Sequence, residues 1–381
     1  MTKKIFLIAG EISGDLLGGA LMRDIKIVQD MLDSGEDVEF YGVGGNDMQA
    51  QSLQSIFPMN DLSVMGLFEV IKHFPRLRKR FNQTVNAILD VNPDVLVTID
   101  APDFGLRIAK KIKKLRPYIR CVHYVAPTVW AWRPKRAEKI SRFLDGVMCL
   151  FPFEPKYFTP HGLRAAFVGH PLLNIIPEKF DKSAFCAAHG LDETKPILCV
   201  LPGSRVREIE SLADVIAGTI DAIHANNPDT QVIIPTMPHV QKYLQPLQGK
   251  AKIFVPKDAA EKYNAFAASD VALHASGTVA LELALCGTPM VTIYKMSSFT
   301  AWVARRMLKT QFANLVNILL QYPVVPELLQ DDANVKQVSE MTRALLGNKA
   351  LNDLQRDELA KIRTFLKEET PQAAAHFVLS F

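Results

Sequence analysis

The sequence predicts an α/β protein built from two doubly wound parallel sheets, on the basis of its length and its pattern of apolar runs. A chain of 381 residues is too long for one ordinary hydrophobic core and suits two domains. Short runs rich in Val and Ile alternate with helical patterns, which predicts βαβ units. Most runs are apolar throughout, as is typical of parallel strands covered on both faces.

The apolar runs fall into two sets, and each set is expected to form one sheet. The first set comprises residues 5–9, 38–43, 95–99, 121–125 and 147–151. The second set comprises residues 197–201, 232–234, 253–255, 271–273 and 290–293. A linker at 169–182 is predicted to separate domains 1–170 and 171–350. The tail, 351–381, is predicted to be helical and to pack on the N-terminal domain or on a partner subunit.

Composition and charge narrow the classes of function. The hydrophobic fraction of 48% and the charged fraction of 22% are globular values. No apolar run has the length of a membrane span, and no signal-peptide cleavage site follows the first run, so a cytoplasmic protein is expected. A net charge of +4 does not indicate a nucleic-acid partner. The five cysteines are scattered, which favours buried free thiols over disulfides or a zinc site.

Polar segments follow several predicted strands, where ligands bind in open α/β sheets. The first segment reads Gly-Glu-Ile-Ser-Gly-Asp, and its glycines, Gly10 and Gly14, permit a tight turn but lack the spacing of a dinucleotide-binding loop. With Ser13 and the carboxylates of Glu11 and Asp15, it suits a substrate hydroxyl or amine better than a phosphate. A turn with Asp15 near a helix start explains the same residues equally well.

The segment after the third strand reads Asp-Ala-Pro-Asp-Phe. A carboxylate at the end of a strand can accept a proton from a sugar hydroxyl, so Asp100 is predicted to be a general base. Asp103 is expected to cap the following helix. After the fourth strand, Trp130 and Trp132 suit stacking on a sugar or an acyl chain, and core packing explains at least one of them as well.

The first strand-to-helix turn of the second half, Leu-Pro-Gly-Ser-Arg, is predicted to hold a diphosphate. Gly203 lets the backbone approach a phosphate, Ser204 can donate a hydrogen bond and Arg205 supplies positive charge. The N-terminus of the next helix adds its dipole. Glu208 and Glu210 are interpreted as residues of the first turn of that helix.

A second turn of this kind places Ser276, Gly277 and Thr278 where they suit phosphate contacts. Glu282 lies one helical turn after Thr278 on the same face, and a carboxylate there can bind both hydroxyls of a ribose. A buried helix start is the alternative. Gly287 is expected to end this helix.

The sequence contains no zinc-protease, EF-hand or Walker A motif, and its acidic residues are not clustered as metal ligands are. We therefore expect a reaction without a metal or another cofactor. Arg205 and helix dipoles would then stabilise the charge of a diphosphate leaving group.

Two segments mix apolar and basic side chains in the manner of helices on anionic membrane surfaces. The first, 64–81, contains Met65, Leu67, Phe68, Val70, Ile71, Arg76 and Arg78. The second, 299–309, contains Trp302, Arg305 and Arg306. A helix with one core face and one solvated basic face is the alternative. One such segment in each half favours the membrane interpretation.

Seven strings of the sequence resemble, in their order, motifs of the lipid-A-disaccharide synthase family. They cover residues 10 to about 320 and are together specific, although each alone is weak. The strings are GEISGD (10–15), VMG (64–66), IDAPDF (99–104), PTVWAWR (127–133), VGHP (168–171), LPGSR (201–205) and ASGT (275–278).

The resemblance implies a GT-B fold, in which two Rossmann-like domains hold the active site in the cleft between them. It implies an inverting, metal-free transfer from UDP-2,3-diacylglucosamine, held mainly by the C-terminal domain, to 2,3-diacylglucosamine 1-phosphate (lipid X), held mainly by the N-terminal domain. The products are a β-1′,6-linked disaccharide phosphate of lipid A biosynthesis and UDP. With the two basic segments, it implies peripheral association with the cytoplasmic face of the inner membrane of a Gram-negative bacterium. The oligomeric state is left open, a homodimer included.

Matching motifs carry site roles over to this chain. Asp100 is implied to be the general base, Arg205 a diphosphate contact and Glu282 a ribose contact. Asn317 matches an asparagine that the family places before an apolar pair, and is implied to bind substrate. Glu11 is the second candidate for the base.

Three positions depart from the family pattern. Val316 stands where proline usually precedes the asparagine, Gly105 where asparagine usually follows Asp-Ala-Pro-Asp-Phe, and Ala126 where serine usually precedes Pro127.

Two rival functions stay open at this point. A UDP-N-acetylglucosamine 2-epimerase-like enzyme would share the donor domain without a lipid acceptor, and a non-catalytic UDP-sugar-binding module would tolerate loss of the carboxylates.

Overall fold

A computed structural model describes residues 2–32, 37–62, 67–132, 134–275, 277–296 and 310–381, with the backbone alone at 32 and 67–73. The chain forms two compact units. The N-terminal unit comprises Met1–Pro171 and Glu368–Phe381, and the C-terminal unit comprises Leu172–Lys367. The change of unit after Pro171 falls within the stretch that the sequence marks as a linker.

The N-terminal unit is a parallel sheet in the order β2-β1-β3-β4-β5-β6, covered by helices. Its strands are β1 (Lys3–Ala9), β2 (Val38–Val43), β3 (Val95–Ile99), β4 (Arg120–Tyr124), β5 (Gly146–Cys149) and β6 (Arg164–Phe167). The helices before the linker are α1 (Ile12–Leu32), α2 (Asn46–Ala50), α3 (Leu67–Val91), α4 (Pro102–Leu115) and α5 (Lys135–Ser141), with 3-10 turns at Met59–Asp61, Pro155–Tyr157 and Thr159–His161.

The C-terminal unit is a second parallel sheet, in the order β12-β11-β10-β7-β8-β9. Its strands are β7 (Ile197–Leu201), β8 (Gln231–Pro235), β9 (Lys252–Phe254), β10 (Val271–Ala275), β11 (Met290–Tyr294) and β12 (Glu327–Leu329). Its helices are α6 (Leu172–Ile175), α7 (Lys182–His189), α8 (Val206–Asn226), α9 (Ala259–Ala268), α10 (Val279–Leu285), α11 (Leu315–Leu320), α12 (Val335–Gly347) and α13 (Lys349–Leu366), with 3-10 turns at Gln241–Leu247 and Gln330–Asp332.

The central strands are buried on both faces, as their uniformly apolar sequences predict. Every side chain of β3 and of β7 is buried. Two buried histidines inside the sheets are hydrogen-bonded to threonines on neighbouring strands. Thr98 Oγ1 lies 2.7 Å from His123 Nδ1, and Thr292 Oγ1 lies 2.9 Å from His274 Nε2.

The predicted fold class is confirmed, and each of the ten predicted runs lies in or overlaps a strand. Two further strands, β6 and β12, were not predicted. Both lie at sheet edges and are only half-buried or exposed along their length. Neither strand contains the Val or Ile that marks the predicted runs.

The C-terminal segment is divided between the two units. Helix α13 belongs to the C-terminal unit, where Gln355 Oε1 accepts a hydrogen bond of 2.6 Å from Met290 N. The last helix, α14 (Ala373–Leu379), packs against α1 in the N-terminal unit. Beside it, the guanidinium of Arg164 lies 5.0 Å and 4.9 Å from the ring centres of Phe377 and Phe381.

All five cysteines are free and buried, as the sequence predicts. Burial raises the pKa of the Cys121 thiol to about 12. Among the helices within the described ranges, none is long and apolar enough to cross a membrane. In the same ranges, no three His, Cys, Asp or Glu side chains gather as a metal site would require.

Candidate active site

The loops after β1 and β3 meet in the N-terminal unit and bring Glu11, Ser13 and Asp100 together. Ser13 Oγ donates a hydrogen bond of 2.8 Å to Asp100 Oδ2. Burial, with the charge of Asp100 as the second cause, raises the pKa of Glu11. A perturbed carboxylate beside a second carboxylate is typical of acid–base sites. The two carboxylates that the sequence offers as the base are therefore neighbours.

The backbone at Asp100 adopts an uncommon conformation. Asp100 has φ of +49° and Ala101 has φ of +35°, in the left-handed region that residues with a side chain seldom occupy. The turn is held because Asp100 N donates to Tyr124 O at 2.9 Å and Pro102 begins α4. Strained backbone of this kind clusters at functional sites, which supports a functional role for Asp100.

The glycines of the first loop let the start of α1 approach the end of β3. A Cβ on Gly14 would lie 3.3 Å from Ile99 O, and a Cβ on Gly10 would lie 3.3 Å from Ala101 Cβ. Such contacts are tighter than most real Cβ contacts, so a side chain at either position would push the loops apart. The two glycines therefore support the site through packing.

Asp15, predicted to contact substrate, has a structural role instead. Its side chain is buried and accepts hydrogen bonds from the backbone N–H groups of Gly45 (2.7 Å), Asp47 (2.9 Å) and Met48 (3.1 Å). These bonds hold the N-terminus of α2, where a carboxylate also interacts favourably with the helix dipole. We therefore leave Asp15 out of the residues proposed to bind substrate.

The prediction that Asp103 caps a helix is wrong. Helix α4 begins at Pro102, two residues earlier than a cap at Asp103 requires, and its N-cap residue, Ala101, makes no side-chain hydrogen bond. Proline is well suited to the first helical position because its missing N–H has no partner there. Asp103 lies exposed in the first turn, where its charge complements the helix dipole.

The two tryptophans after β4 have different environments. Trp130 is buried, donates through Nε1 to Glu154 Oε1 at 3.1 Å and packs edge-on against Phe153. Burial raises the pKa of Glu154 to about 7. Trp132 is exposed. Core packing thus accounts for Trp130, and Trp132 is the tryptophan whose ring lies on the surface.

A cavity of about 700 Å³ lies in the C-terminal unit, at the carboxyl ends of its central strands. Two predicted phosphate-binding turns, after β7 and after β10, line it together. The predicted diphosphate and ribose contacts that line the cavity are Gly203, Ser204, Arg205, Gly277, Thr278 and Glu282. Its volume is in the range of small-molecule sites. Ser276, the remaining predicted contact, lies outside the described residues.

The turn after β7 presents backbone N–H groups and a cation. Gly203 has φ of +124°, a conformation that favours glycine. Ser204 N and Arg205 N both donate to Glu208 Oε2, at 3.1 Å and 3.3 Å. The Arg205 side chain is 79% exposed and donates through Nη1 to Glu208 Oε1 at 3.0 Å. Arg205 is the N-cap of α8, and Glu208 and Glu210 lie in the first turns of this helix, as predicted for its start.

Glu282 lies on the first turn of α10 and lines the cavity, where it is paired with a lysine that the sequence did not single out. Lys262 Nζ forms an ion pair with Glu282 Oε2 and lies 5.1 Å from the ring centre of Tyr263. Lys262 is on α9, away from every loop motif, so motif searching missed it. Its place in the first turns of a helix that follows β9 is the signal that could have identified it.

Asn317, carried over as a substrate contact, is fully buried and its hydrogen bonds are internal. Its amide nitrogen donates to Val325 O (2.8 Å) and Glu327 Oε1 (2.7 Å). Its oxygen accepts from Val324 N (2.9 Å) and Val325 N (2.8 Å). These bonds satisfy the whole amide, so Asn317 orders the chain between α11 and β12. We leave it out of the proposed substrate contacts.

The structure covers only part of the two basic apolar segments. Met65, Trp302, Arg305 and Arg306 lie outside the described residues, as do the side chains of Leu67, Phe68, Val70 and Ile71. Helix α3 carries Arg76 and Arg78, both exposed, with Arg76 Nη1 3.8 Å from Asp61 Oδ1. The C-terminal half of α3 buries Val85 and Ile88 in the core.

Exposed apolar side chains lie on the first turns of α1, which also carry Ser13. Ile12 is 78% exposed and Leu16 is 41% exposed, one helical turn apart at the start of α1. Because Ser13 of the same turn contacts Asp100, this apolar surface adjoins the candidate base.

Solved structures show the same architecture at low sequence identity. A putative UDP-N-acetylglucosamine 2-epimerase from Listeria monocytogenes has a TM-score of 0.63 and 13% identity, covering 100% of this chain and 95% of its own. The MurG structure from Acinetobacter baumannii has a TM-score of 0.56 and 14% identity, covering 100% of both chains. This likeness identifies the fold as GT-B, with two Rossmann-like domains, and does not distinguish the function.

Sequence comparison, in contrast, distinguishes the function. A family model described as Lipid-A-disaccharide synthetase matches residues 5–381. The lipid-A-disaccharide synthase of Rhodospirillum centenum is 42% identical over 368 residues, covering 95% of this chain and 90% of the relative. That of Pseudomonas aeruginosa is 36% identical over 378 residues, covering 99% and 97%. Because these matches extend over nearly the whole chain, the protein belongs to the lipid-A-disaccharide synthase family of glycosyltransferases, which makes the lipid A disaccharide.

Proposed function

We propose that this chain transfers 2,3-diacylglucosamine from UDP-2,3-diacylglucosamine to the 6-hydroxyl of lipid X, with inversion at the anomeric carbon. Family membership supports the reaction class. The observation that carries the assignment to residues is the cavity of about 700 Å³ in the C-terminal unit, which two glycine-containing turns, Arg205 and Glu282 line together.

The donor nucleotide is proposed to bind in this cavity. Its diphosphate would lie at the turn after β7, where Arg205 and the N-terminus of α8 supply positive charge. Gly277 and Thr278, at the start of α10, offer a second set of backbone and hydroxyl groups. Glu282 would accept hydrogen bonds from the two ribose hydroxyls, with its carboxylate held in place by the ion pair with Lys262.

The acceptor is proposed to bind at the loops after β1 and β3. As its 6-hydroxyl oxygen bonds to the anomeric carbon, Asp100 takes the hydroxyl proton. The bond from the anomeric carbon to the phosphate oxygen breaks, and its electron pair leaves with UDP. Ser13, which donates to one oxygen of Asp100, orients the carboxylate. Glu11 is the alternative base, because its raised pKa increases its affinity for a proton.

The lipid character of both substrates suits two features of the chain. Ile12 and Leu16 expose apolar surface beside Asp100, where an acyl chain of the acceptor could pack. The segments 64–81 and 299–309 are proposed to bring the protein to the anionic cytoplasmic face of the inner membrane.

Product analysis tests the proposal. The purified protein is incubated with UDP-2,3-diacylglucosamine and lipid X, and mass spectrometry should detect the disaccharide 1-phosphate and UDP. An anomeric proton coupling typical of a β-linkage would show inversion. Arg205→Ala should slow turnover at least about tenfold, because a charge-assisted contact to phosphate is lost, and Arg205→Lys should recover only part of it. A wild-type protein that makes no disaccharide, or that epimerises the donor, contradicts the proposal.

A further inference from the structure

The turn after β7 already holds an anion that belongs to the chain itself. One oxygen of Glu208 accepts from two consecutive backbone N–H groups, those of Ser204 and Arg205, at 3.1 Å and 3.3 Å. The other oxygen accepts from Arg205 Nη1 at 3.0 Å. A carboxylate bound to two N–H groups and a guanidinium makes the contacts that a phosphate would make at this place.

The carboxylate is lodged in the turn. A Cβ on Gly203 would lie 2.7 Å from Glu208 Oε2, so only glycine lets Glu208 approach this closely. The Glu208 side chain is 15% exposed and lines the same cavity as Arg205 and Glu282. Because of this position, a nucleotide that enters the cavity meets Glu208 at the end of the site where its phosphates are expected.

A diphosphate and a carboxylate cannot use the same donors at once. Each N–H of the turn has one hydrogen to donate, and two anions at hydrogen-bond distance from the same donors repel each other. Glu208 is four residues along the chain from Ser204, at the third position of α8, where its carboxylate also forms a capping box with Arg205. Rotation about its side-chain bonds would free the donors of the turn.

We propose that Glu208 is an internal competitor of the diphosphate: it occupies the phosphate-binding donors of the empty site and is displaced when UDP or the UDP-sugar binds. This inference rests on the proposed donor site. Displacement costs part of the binding free energy of the nucleotide. UDP, which lacks the sugar contacts of the donor, is left with the smaller net affinity, so Glu208 promotes release of the product.

The test compares Glu208→Gln with wild type by calorimetric titration of UDP, UMP and uridine. Glutamine keeps the shape and one acceptor oxygen but removes the charge, so the phosphate should meet a weaker competitor. UDP affinity should rise about tenfold, since hydrogen bonds to a charged group are replaced by those to a neutral one. UMP should gain less, and uridine should bind as it does to wild type. Product inhibition by UDP should tighten in parallel.

Glu210→Gln is the matched control. Glu210 is exposed two residues further along α8, and its replacement removes the same charge without touching the turn. It should leave UDP affinity within about twofold, because exposed charges are screened by solvent and salt. Equal gains in both variants would mean that general electrostatics and not displacement is responsible, and would overturn the inference.

Other outcomes are equally decisive. A fall in UDP affinity in Glu208→Gln would show that Glu208 supports phosphate binding through Arg205, and unchanged affinity would show that the phosphates do not use this turn's donors. Damage to the helix start would weaken binding and lower the melting temperature, so it cannot imitate the predicted gain. If wild type and both variants all fail to bind UDP, the donor site itself is wrong, which is a separate result.

Discussion

Two residues of the proposed donor cavity differ in how firmly their side chains are held. Arg205 is mostly exposed and can reach a ligand by rotation of a flexible side chain, whereas Glu282 is 15% exposed and is held by Lys262. An ion pair on the wall of a cavity fixes the orientation of the carboxylate before a ligand arrives. Binding of the ribose should therefore depend on Glu282 as a rigid acceptor.

Glu282→Ala should weaken the binding of UDP and of the UDP-sugar alike. The expected loss is about tenfold, because a charged acceptor of two hydroxyl groups is removed. Titration with 2′-deoxy-UDP checks the contact: the analogue should bind wild type more weakly than UDP does, and the difference should disappear in the variant. A penalty for the deoxy analogue that is equal in both proteins would place the ribose contact elsewhere.

Sequence motifs identified residues that line the cavity better than they identified residues whose hydrogen bonds are internal. Arg205 and Glu282 line the cavity as expected, but Asp15 and Asn317 hold backbone groups of their own unit. A polar residue in a motif can serve a ligand or a loop, and the sequence does not reveal whether its hydrogen bonds are already made. Lys262 was missed for the converse reason, since it carries no motif.

At the scale of single elements, the start of α1 is unexpected because it exposes apolar side chains. Its first turns expose Ile12 and Leu16 next to Ser13, which contacts Asp100.

Two edge strands were present in the structure but were not predicted from the sequence. β6 and β12 contain neither Val nor Ile, so they were not recognised, although β1, β3 and β7 are evident from their buried runs.

Ile12→Ser combined with Leu16→Ser should raise KM for lipid X with long acyl chains by about tenfold, because apolar area that an acyl chain would cover is lost. KM for an acceptor with very short acyl chains should not change. The control is Met31→Ser, at the far end of the same helix and 72% exposed. The acyl assignment fails if the double variant and the control behave alike with both acceptors.

The buried histidine of β10 makes stability depend on pH. Burial lowers the pKa of His274 to about 4, while an unfolded histidine keeps its ordinary value of 6.5. As pH falls below 6.5, His274 binds a proton in the unfolded state but stays neutral in the folded state. The protein therefore becomes less stable on acidification. In the N-terminal unit, Glu154 has the opposite effect on the pH dependence of stability. Its pKa is raised to about 7, so the stabilisation that its protonated form contributes is lost as pH rises through 7.

His274→Gln should therefore flatten the pH dependence of the unfolding free energy. Between pH 7.5 and 5, His274 lowers the unfolding free energy of the wild type by about 2 kcal/mol. Over the same interval the unfolding free energy of the variant should fall by about 2 kcal/mol less, whatever its stability at neutral pH. Urea unfolding at several pH values measures this. His161→Gln, at an exposed position, is the control for the loss of one histidine. A variant at His274 with the wild-type slope would show that the folded state accepts the proton.

At the scale of the whole molecule, each unit contributes one half of the proposed chemistry: a donor cavity in one and a carboxylate pair in the other. The sequence indicated the two sheets, because most of their strands are short runs rich in Val and Ile. It did not indicate that the C-terminal segment is shared, with α13 in one unit and α14 in the other. Helix α13 is amphipathic and α14 is apolar except for His376, and neither pattern identifies the partner of an apolar face.

Membrane binding should depend on the basic side chains of α3. Arg76→Gln with Arg78→Gln should lower the affinity for vesicles containing phosphatidylglycerol by about thirtyfold, since each of the two basic side chains contributes about 1 kcal/mol near an anionic surface. Salt should weaken wild-type binding. The control is Lys110→Gln with Lys111→Gln, two exposed positions on α4 with the same change in net charge. Equal losses in both variants would argue against a specific membrane-facing segment.

The central claim is that Asp100 takes the proton of the acceptor hydroxyl, and the rate of disaccharide formation by Asp100→Asn tests it most directly. The amide keeps the shape of the carboxylate and removes its basicity, so kcat should fall by about 10²–10⁴-fold while UDP affinity stays near the wild-type value. Glu11→Gln, assayed alongside, should be much less affected. A wild-type rate in Asp100→Asn contradicts the claim, and a large loss confined to Glu11→Gln would assign the base to Glu11.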